Sequence, residues 1–424
     1  MTFPSIHSQT SPPSSRLGHS MTQQHPLQEI AFWLSRQGYE GTPEEELLAG
    51  FCERCNAAGV SISSALVLMD TLHPDFEGHA FQWDSHDAVD SSSVYDFTDE
   101  GTAREAWESS VFFHLLKENA EEIRQRLFLN EETSFYKLDE LRNAGHTDYI
   151  ASIHRFTERG SIGEMSAFYS RWLTRQPEGF HDDELAALRM LLPTLALAVK
   201  TACCMRIIET ITDVYLGRDA GRKVMSGTIT RGEVERIEAV LWFSDLRDFT
   251  GISDRAKPDQ IIPFLNDYAG LVIDAIHAHG GSVLKLIGDG VLAIFRSGNR
   301  QDDCAAALAA EMTMRTRLSV LNHERHTKDL PTTDVYLGLH VGEVFYGNIG
   351  SRGRLDFTVV GPAVNMVSRI GGLCGSVDRD TVMSRDFVAT CPEEMQALMV
   401  SLGRYALRGF ARAHELFTID PELA

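Results

Sequence analysis

The period of the hydrophobic positions changes several times along the chain, and each change marks an element. Residues 26–58 carry Ile30, Phe32, Trp33 and Leu34, then Leu47, Leu48 and Phe51, a spacing that predicts helix. SISSALVLMD (61–70) and HAFQWD (79–84) read as strands on either side of the turn-like HPDFEG. Helix is expected again over 101–126, with short strands at 149–157 and 163–169 around Gly160. His181 to Thr201 is a long apolar-periodic helix, acidic in its first turn as the helix dipole favours, and Pro193 is expected to kink it. Residues 205–228 continue the helical pattern through Ile207, Ile208, Ile211, Val214 and Tyr215, then break at Gly227.

The second half has a different rhythm. A strand at 237–246 (IEAVLWFSDL) ends on Asp245, and a helix follows from Pro258 to about His279. SVLKL (282–286), the turn Ile287-Gly288-Asp289-Gly290 and VLAIF (291–295) make a β-hairpin with an Asp-Gly turn. A second helix, Asp302 to about Leu321, leads to a strand at 334–341. This is the βαββαβ order of a ferredoxin-like split unit. Its first and third strands are neighbours, so Asp245 and Asp289 are expected to face one point. Two convergent carboxylates beside the amides of a turn suit Mg²⁺ ions carrying a polyphosphate.

Composition narrows the function classes. A chain of 424 residues with 43% hydrophobic and 23% charged positions is expected to fold as two domains. Its net charge of −21, from 39 basic against 60 acidic residues, disfavours nucleic acid or an anionic membrane as a general partner. No membrane span is expected, because no apolar run is read as approaching about 20 residues. Residues 1–25, rich in Ser, Thr, Pro, Gln and His, read as a flexible tail without a signal-peptide core. Seven scattered Cys residues fit a reducing cytoplasm, with the Cys52/Cys55 and Cys203/Cys204 pairs read as buried small apolar residues.

Four ordered motifs lift the carboxylates out of the ordinary. FSDLRDFT (243–250), LKLIGDGVLAIF (284–295), GLHVGEVFYGNIG (338–350) and LDFTVVGPAVNMVSR (355–369) together resemble the class III adenylate/guanylate cyclase catalytic domain over about 230–420. The resemblance implies that Asp245 and Asp289 hold two Mg²⁺ or Mn²⁺ ions per site. It implies that Lys285 and Thr358 read the base, Asn365 orients the ribose and Arg369 grips the α-phosphate. Asn365 and Arg369 are i, i+4 and so share a helix face. Around the triphosphate, the Phe249-Thr250 loop would lend its backbone amides, and Arg408, or else Arg412, would reach the β- and γ-phosphates.

The substrate implied is ATP, since a lysine donor suits adenine N1 and meets guanine N1–H donor to donor. The product would be cyclic AMP, made by a homodimer whose sites lie between subunits. Guanylate cyclase and a non-catalytic module of the same fold are the rival readings. Asp248 departs from the family pattern, which has Gly there. It would add negative charge or a third oxygen ligand beside the phosphates, or turn to solvent. Thr358 in place of the commoner Asp places the chain with a branch that includes bicarbonate-responsive cyclases.

Residues 26–204 resemble a GAF-like sensor domain, though a PAS-like domain would read much the same, and His73, His79 and Trp83 are ligand-contact candidates against ordinary turn and core roles. The expected architecture is a two-domain α+β and α/β chain. It comprises a tail (1–25), an α/β GAF-like sensor (26–204), a helical connector (205–228) and a ferredoxin-like class III cyclase catalytic domain (229–424).

Overall fold

The computed structural model describes residues 21–86, 91–98, 101–129, 135, 138–163 and 165–420. It divides into two compact units between Thr210 and Ile211.

In the first unit the apolar stretch over 26–58 is two helices, Met21–Glu40 and Glu44–Ala57. Gly41, at φ +71°, and Pro43, which precedes the second helix, account for the break. The first 20 residues of the expected tail lie outside the described residues, and helix already begins at Met21. An antiparallel sheet follows, with strands β1 (Ser64–Asp70), β2 (Gly78–Asp84), β3 (Ser91–Tyr95), β4 (Glu122–Gln125), β5 (Asp148–Arg155) and β6 (Ala167–Thr174) in the order β3-β2-β1-β6-β5-β4.

Helix does not run unbroken over 101–126. Ser110 caps a new helix, Val111–Lys117, by accepting from Phe113 N at 3.1 Å, and the chain then turns into β4. The strand expected at 163–169 lies later, as β6, and β3 has too little apolar character to be read from sequence.

Helix Asp182–Leu216 runs through Pro193 and across the division between the units. By length and composition alone it is long and apolar enough to cross a membrane, a test that a buried core helix also passes. Leu185, Leu188, Leu191, Leu195, Val199 and Cys203 are nevertheless buried, the stripe of a core helix. Cys55 is also buried, which pushes its thiol up to about 12.

The second unit is built on β7 (Val234–Leu246), β8 (Ser282–Ile287), β9 (Gly290–Phe295), β10 (Val335–Gly350), β11 (Leu355–Val360), β12 (Thr381–Ser384), β13 (Met399–Ala406) and β14 (Ala413–Ile419). Their order is β13-β14-β12-β10-β7-β9-β8, with β11 extending the far end of β10. The central four strands, β10-β7-β9-β8, have the split-unit order, so β7 and β9 are neighbours. Both faces of β7 are covered, which is why its apolar run is continuous rather than alternating. Val240 and Trp242 enter the core under helices Pro258–Ala278 and Arg300–Thr327. Ile237, Ala239 and Leu241 face the opposite cluster, with Val344, Tyr346, Val359 and Val367.

The connector is not one helix to Gly227. It ends at Leu216, bends at Gly217 (φ +85°) and restarts as Arg218–Met225. Gly217 is required there twice, by its left-handed backbone and because a Cβ would lie 2.5 Å from Val283 O of β8.

Candidate active site

Asp245 sits at the penultimate position of β7, and Asp289 in the turn joining β8 to β9. The pairing of Ser244 with Val291 brings that turn beside the end of β7. Gly290 allows the approach, since a Cβ there would lie 2.9 Å from Ser244 O and 3.3 Å from Asp245 Oδ1. Leu246 N donates to Asp289 Oδ2 at 3.2 Å, and the Asp245 and Asp289 carboxyls lie side by side. Burial first, then the Asp289 carboxyl beside it, push the Asp245 carboxyl up to about 7.

Two half-buried carboxylates held together suit a divalent cation. Among the described residues no group of three or more His, Cys, Asp or Glu converges. Asp248 is not part of the pair. It adopts the left-handed conformation (φ 54°, ψ 30°) that glycine takes without strain, and its exposed carboxylate pairs with Arg255 at 3.0 Å. Phe249 stacks on Phe264 with ring centroids 6.2 Å apart, so its ring packs into the core, while Thr250 is exposed at the start of helix Phe249–Arg255.

The remaining motif residues lie on other elements. Lys285 Nζ on β8 donates to Asp356 Oδ2 on β11 at 2.5 Å. Thr358, two residues on and hence on the same face of β11, is 5% exposed, and its Oγ1 has no hydrogen-bond partner. Asn365 and Arg369 project from the exposed face of helix Pro362–Gly371, whose other face buries Ala363, Met366, Val367 and Ile370. Arg408 and Arg412 are exposed in the turn between β13 and β14. Among the described residues no hydrogen bond or ion pair joins the carboxylate pair to Lys285, Thr358, Asn365, Arg369 or Arg408. Asp356 is the site neighbour that the motifs do not single out; its only sequence signal is a charge two residues before Thr358.

Comparison with known proteins decides what this arrangement belongs to. The family described as the adenylate and guanylate cyclase catalytic domain matches residues 233–420, a stretch that holds strands β7 to β14 and every side chain just described. Residues 233–420 are a class III cyclase catalytic domain. The chain is 37% identical over 164 residues to an adenylate cyclase of Anabaena cylindrica, covering 37% of this chain and 32% of that protein. It is 27% identical over 212 residues to adenylate cyclase 1 of Rhizobium meliloti, covering 49% and 31%. The chain thus spans about a third of the length of these relatives. Among solved structures, the adenylyl cyclase CyaB from P. aeruginosa aligns at 23% identity with a TM-score of 0.40, covering 44% of this chain and 96% of that one.

In the first unit, His73 lines a cavity of about 580 Å³ with Leu72, Glu77, Phe97, Trp107 and Phe113. The other two ligand-contact candidates do not line it. His79 stacks on Phe81 at 5.9 Å, burial and then Arg206 push its imidazole down to about 4, and Trp83 is buried.

Proposed function

We propose that this chain converts ATP to 3′,5′-cyclic AMP and pyrophosphate, at sites completed by two copies of the chain. The observation that carries the reading is the contact between Asp245 and Asp289 at the ends of neighbouring strands in a cyclase domain. That pair would hold two Mg²⁺ or Mn²⁺ ions, which when bound neutralise the triphosphate and acidify the ribose 3′-hydroxyl. The 3′-hydroxyl gives up its proton to solvent water, and its oxygen attacks the α-phosphorus as the bond to the pyrophosphate oxygen breaks.

Arg369 donates to the α-phosphate oxygens, where charge builds up, and Asn365 fixes the ribose so that attack is in line. The amides around Phe249 and Thr250 receive the triphosphate, with Arg408 on its outer phosphates. Lys285 donates to adenine N1, and the buried Thr358 hydroxyl finds its missing partner at the 6-amino group. The separation of the carboxylates from the Lys285, Thr358, Asn365 and Arg369 set supports a site made of two half-sites from a homodimer.

The N-terminal unit, read as a GAF-like sensor of a small molecule, would control the rate through the connector, and the Thr358 branch of the catalytic domain suggests bicarbonate as a further regulator. The unit's six-stranded antiparallel sheet and cavity support the sensor reading. So does the docking of helix Arg218–Met225 on the strands that carry the base-reading residues. Gly217 abuts Val283, two residues before Lys285. Tyr346 Oη donates to Asp219 Oδ2 at 2.7 Å, and the Tyr346 ring packs edge-on against Phe357, 4.8 Å away and adjacent to Thr358.

The test is direct: purified full chain with ATP or GTP and Mg²⁺ or Mn²⁺, with products identified by mass. Cyclic AMP from ATP is expected. Cyclic GMP alone, or no product with either nucleotide, overturns the reading.

A further inference from the structure

The catalytic domain carries a cavity of about 530 Å³ that holds none of the residues given a role in the conversion of ATP. It is lined from helix Arg300–Thr327, from the segment that leads into β13, and from β12 and β14, and its volume is that of a small-molecule site. One wall is apolar. Leu308, Ala309 and Met312 come from the helix, and Met395, Leu398 and Met399 from the segment entering β13. Leu308 belongs to the core, whereas Met312 and Leu398 are exposed, so an apolar surface runs from the core out to water. Covering such a surface is favourable, and the flexible thioethers of three methionines adapt to an irregular guest.

The other wall is polar, and its groups are mostly committed to one another. Arg315 donates from Nε to Glu311 Oε1 at 3.0 Å, from Nη1 to Val335 O at 2.6 Å and from Nη2 to Thr381 Oγ1 at 2.9 Å. Thr381 Oγ1 donates in turn to Glu311 Oε1 at 2.8 Å, and Thr418 Oγ1 to Thr381 O at 2.7 Å. Arg379 is the exception. Its Nη1 donates to Asp378 O at 2.6 Å, but its Nε is buried without a hydrogen-bond partner. It forms no ion pair among the described residues. Asp380 also lines the cavity but is exposed, so water and salt screen its charge.

We propose that this cavity binds an amphiphilic carboxylate of the fatty-acid class, with its head group on Arg379 and its chain along the methionine wall. A guanidinium with an unmatched buried donor suits a carboxylate, which accepts from two N–H groups at once. The apolar wall supplies the rest of the affinity, in proportion to the chain it covers. Because the lining residues are separate from those assigned to ATP, the site stands or falls apart from the cyclase reading.

The test is calorimetric titration of the full chain with octanoate, decanoate, dodecanoate and dodecan-1-ol, each below its micelle concentration. Saturable binding of dodecanoate is expected, and each added methylene should tighten binding about fourfold until the cavity is full. Arg379→Gln should weaken dodecanoate about tenfold and leave dodecan-1-ol within about twofold. Ala309→Phe, which fills the cavity from the helix side, should abolish binding of all four. Should that variant fail to fold, as circular dichroism would show, Arg379→Gln decides alone, since it alters a half-exposed side chain. Absence of saturable binding to wild type overturns the proposal. So does binding that the variants leave unchanged, which would place the ligand elsewhere on the chain. An equal effect of Arg379→Gln on acid and alcohol also overturns it, because the carboxylate would then not be recognised. If none of the four binds and Ala309→Phe changes the oligomeric state in sedimentation, the apolar wall is a contact with a second copy instead.

Discussion

Thr358→Val separates what the fold needs from what the site needs. Thr358 is 5% exposed and its hydroxyl makes no hydrogen bond, so the folded protein carries a desolvated polar group without compensation. Such a group costs about 1–3 kcal/mol. Valine fills nearly the same volume with a methyl, so the variant should be more stable by about 1 kcal/mol. For a unit of this size that raises its Tm by about 2–4 °C.

On the proposed function, the same change removes the partner of the adenine 6-amino group. A base group buried without its hydrogen bond loses about 1–3 kcal/mol, or roughly 5- to 150-fold in kcat/KM for ATP. GTP, for which the site is not built, should lose less, so selectivity narrows. Scanning calorimetry reads the first effect and initial rates with both nucleotides the second. A variant that melts lower than wild type and keeps its ATP rate would refute the reasoning, because the hydroxyl would then serve the fold and not the base.

Asp245→Ala or Asp289→Ala should each lower cyclic nucleotide formation by about 10³-fold or more, because the cation-binding pair is lost, while circular dichroism stays unchanged. His340 is buried, with Nδ1 2.8 Å from Ser384 Oγ, and desolvation pushes its imidazole down to about 4 from an ordinary 6.5. The neutral ring is favoured in the fold while the unfolded chain takes up a proton near pH 6.5. Stability should therefore be complete above about pH 6.5 and fall by up to about 3 kcal/mol as the pH drops towards about 4. Denaturant melts of wild type and His340→Asn across that window check it, the variant having the shallower slope. Inserting one residue near Thr212 turns the following helix by about 100° and should break control of the rate, whereas four residues restore the phase; equal behaviour of both insertions would make the connector a passive tether.

The parts of the fold that sequence makes legible are those where one local signal decides. The Asp-Gly hairpin at 287–290, the continuous apolar run of β7 and the i, i+4 pair Asn365 and Arg369 each follow from spacing alone. Other features depend on partners distant in the chain. β3 is a serine-rich strand held by pairing to β2, which no hydrophobic period announces. The connector reads as helical to Gly227 because Ile207, Ile211 and Val214 keep their stripe. The bend at Gly217 comes from the close approach of Val283, a residue far along the chain. Asp356 escapes for the same reason, as its meaning comes from Lys285, 71 residues earlier. Asp248 is legible as a departure from the family's glycine. Only the backbone explains it, because its left-handed conformation is one that Asp tolerates better than most residues.

Mixing an Asp245→Ala subunit with an Arg369→Ala subunit tests most directly whether two copies build one cyclase site. Each variant alone should be inactive. In a heterodimer one site would keep all its groups and the other would lose both. Random exchange makes about half of the dimers mixed, each with one of two sites working, so recovery near a quarter of the wild-type rate is expected. No recovery, with exchange of subunits shown independently by mass, would contradict a shared site.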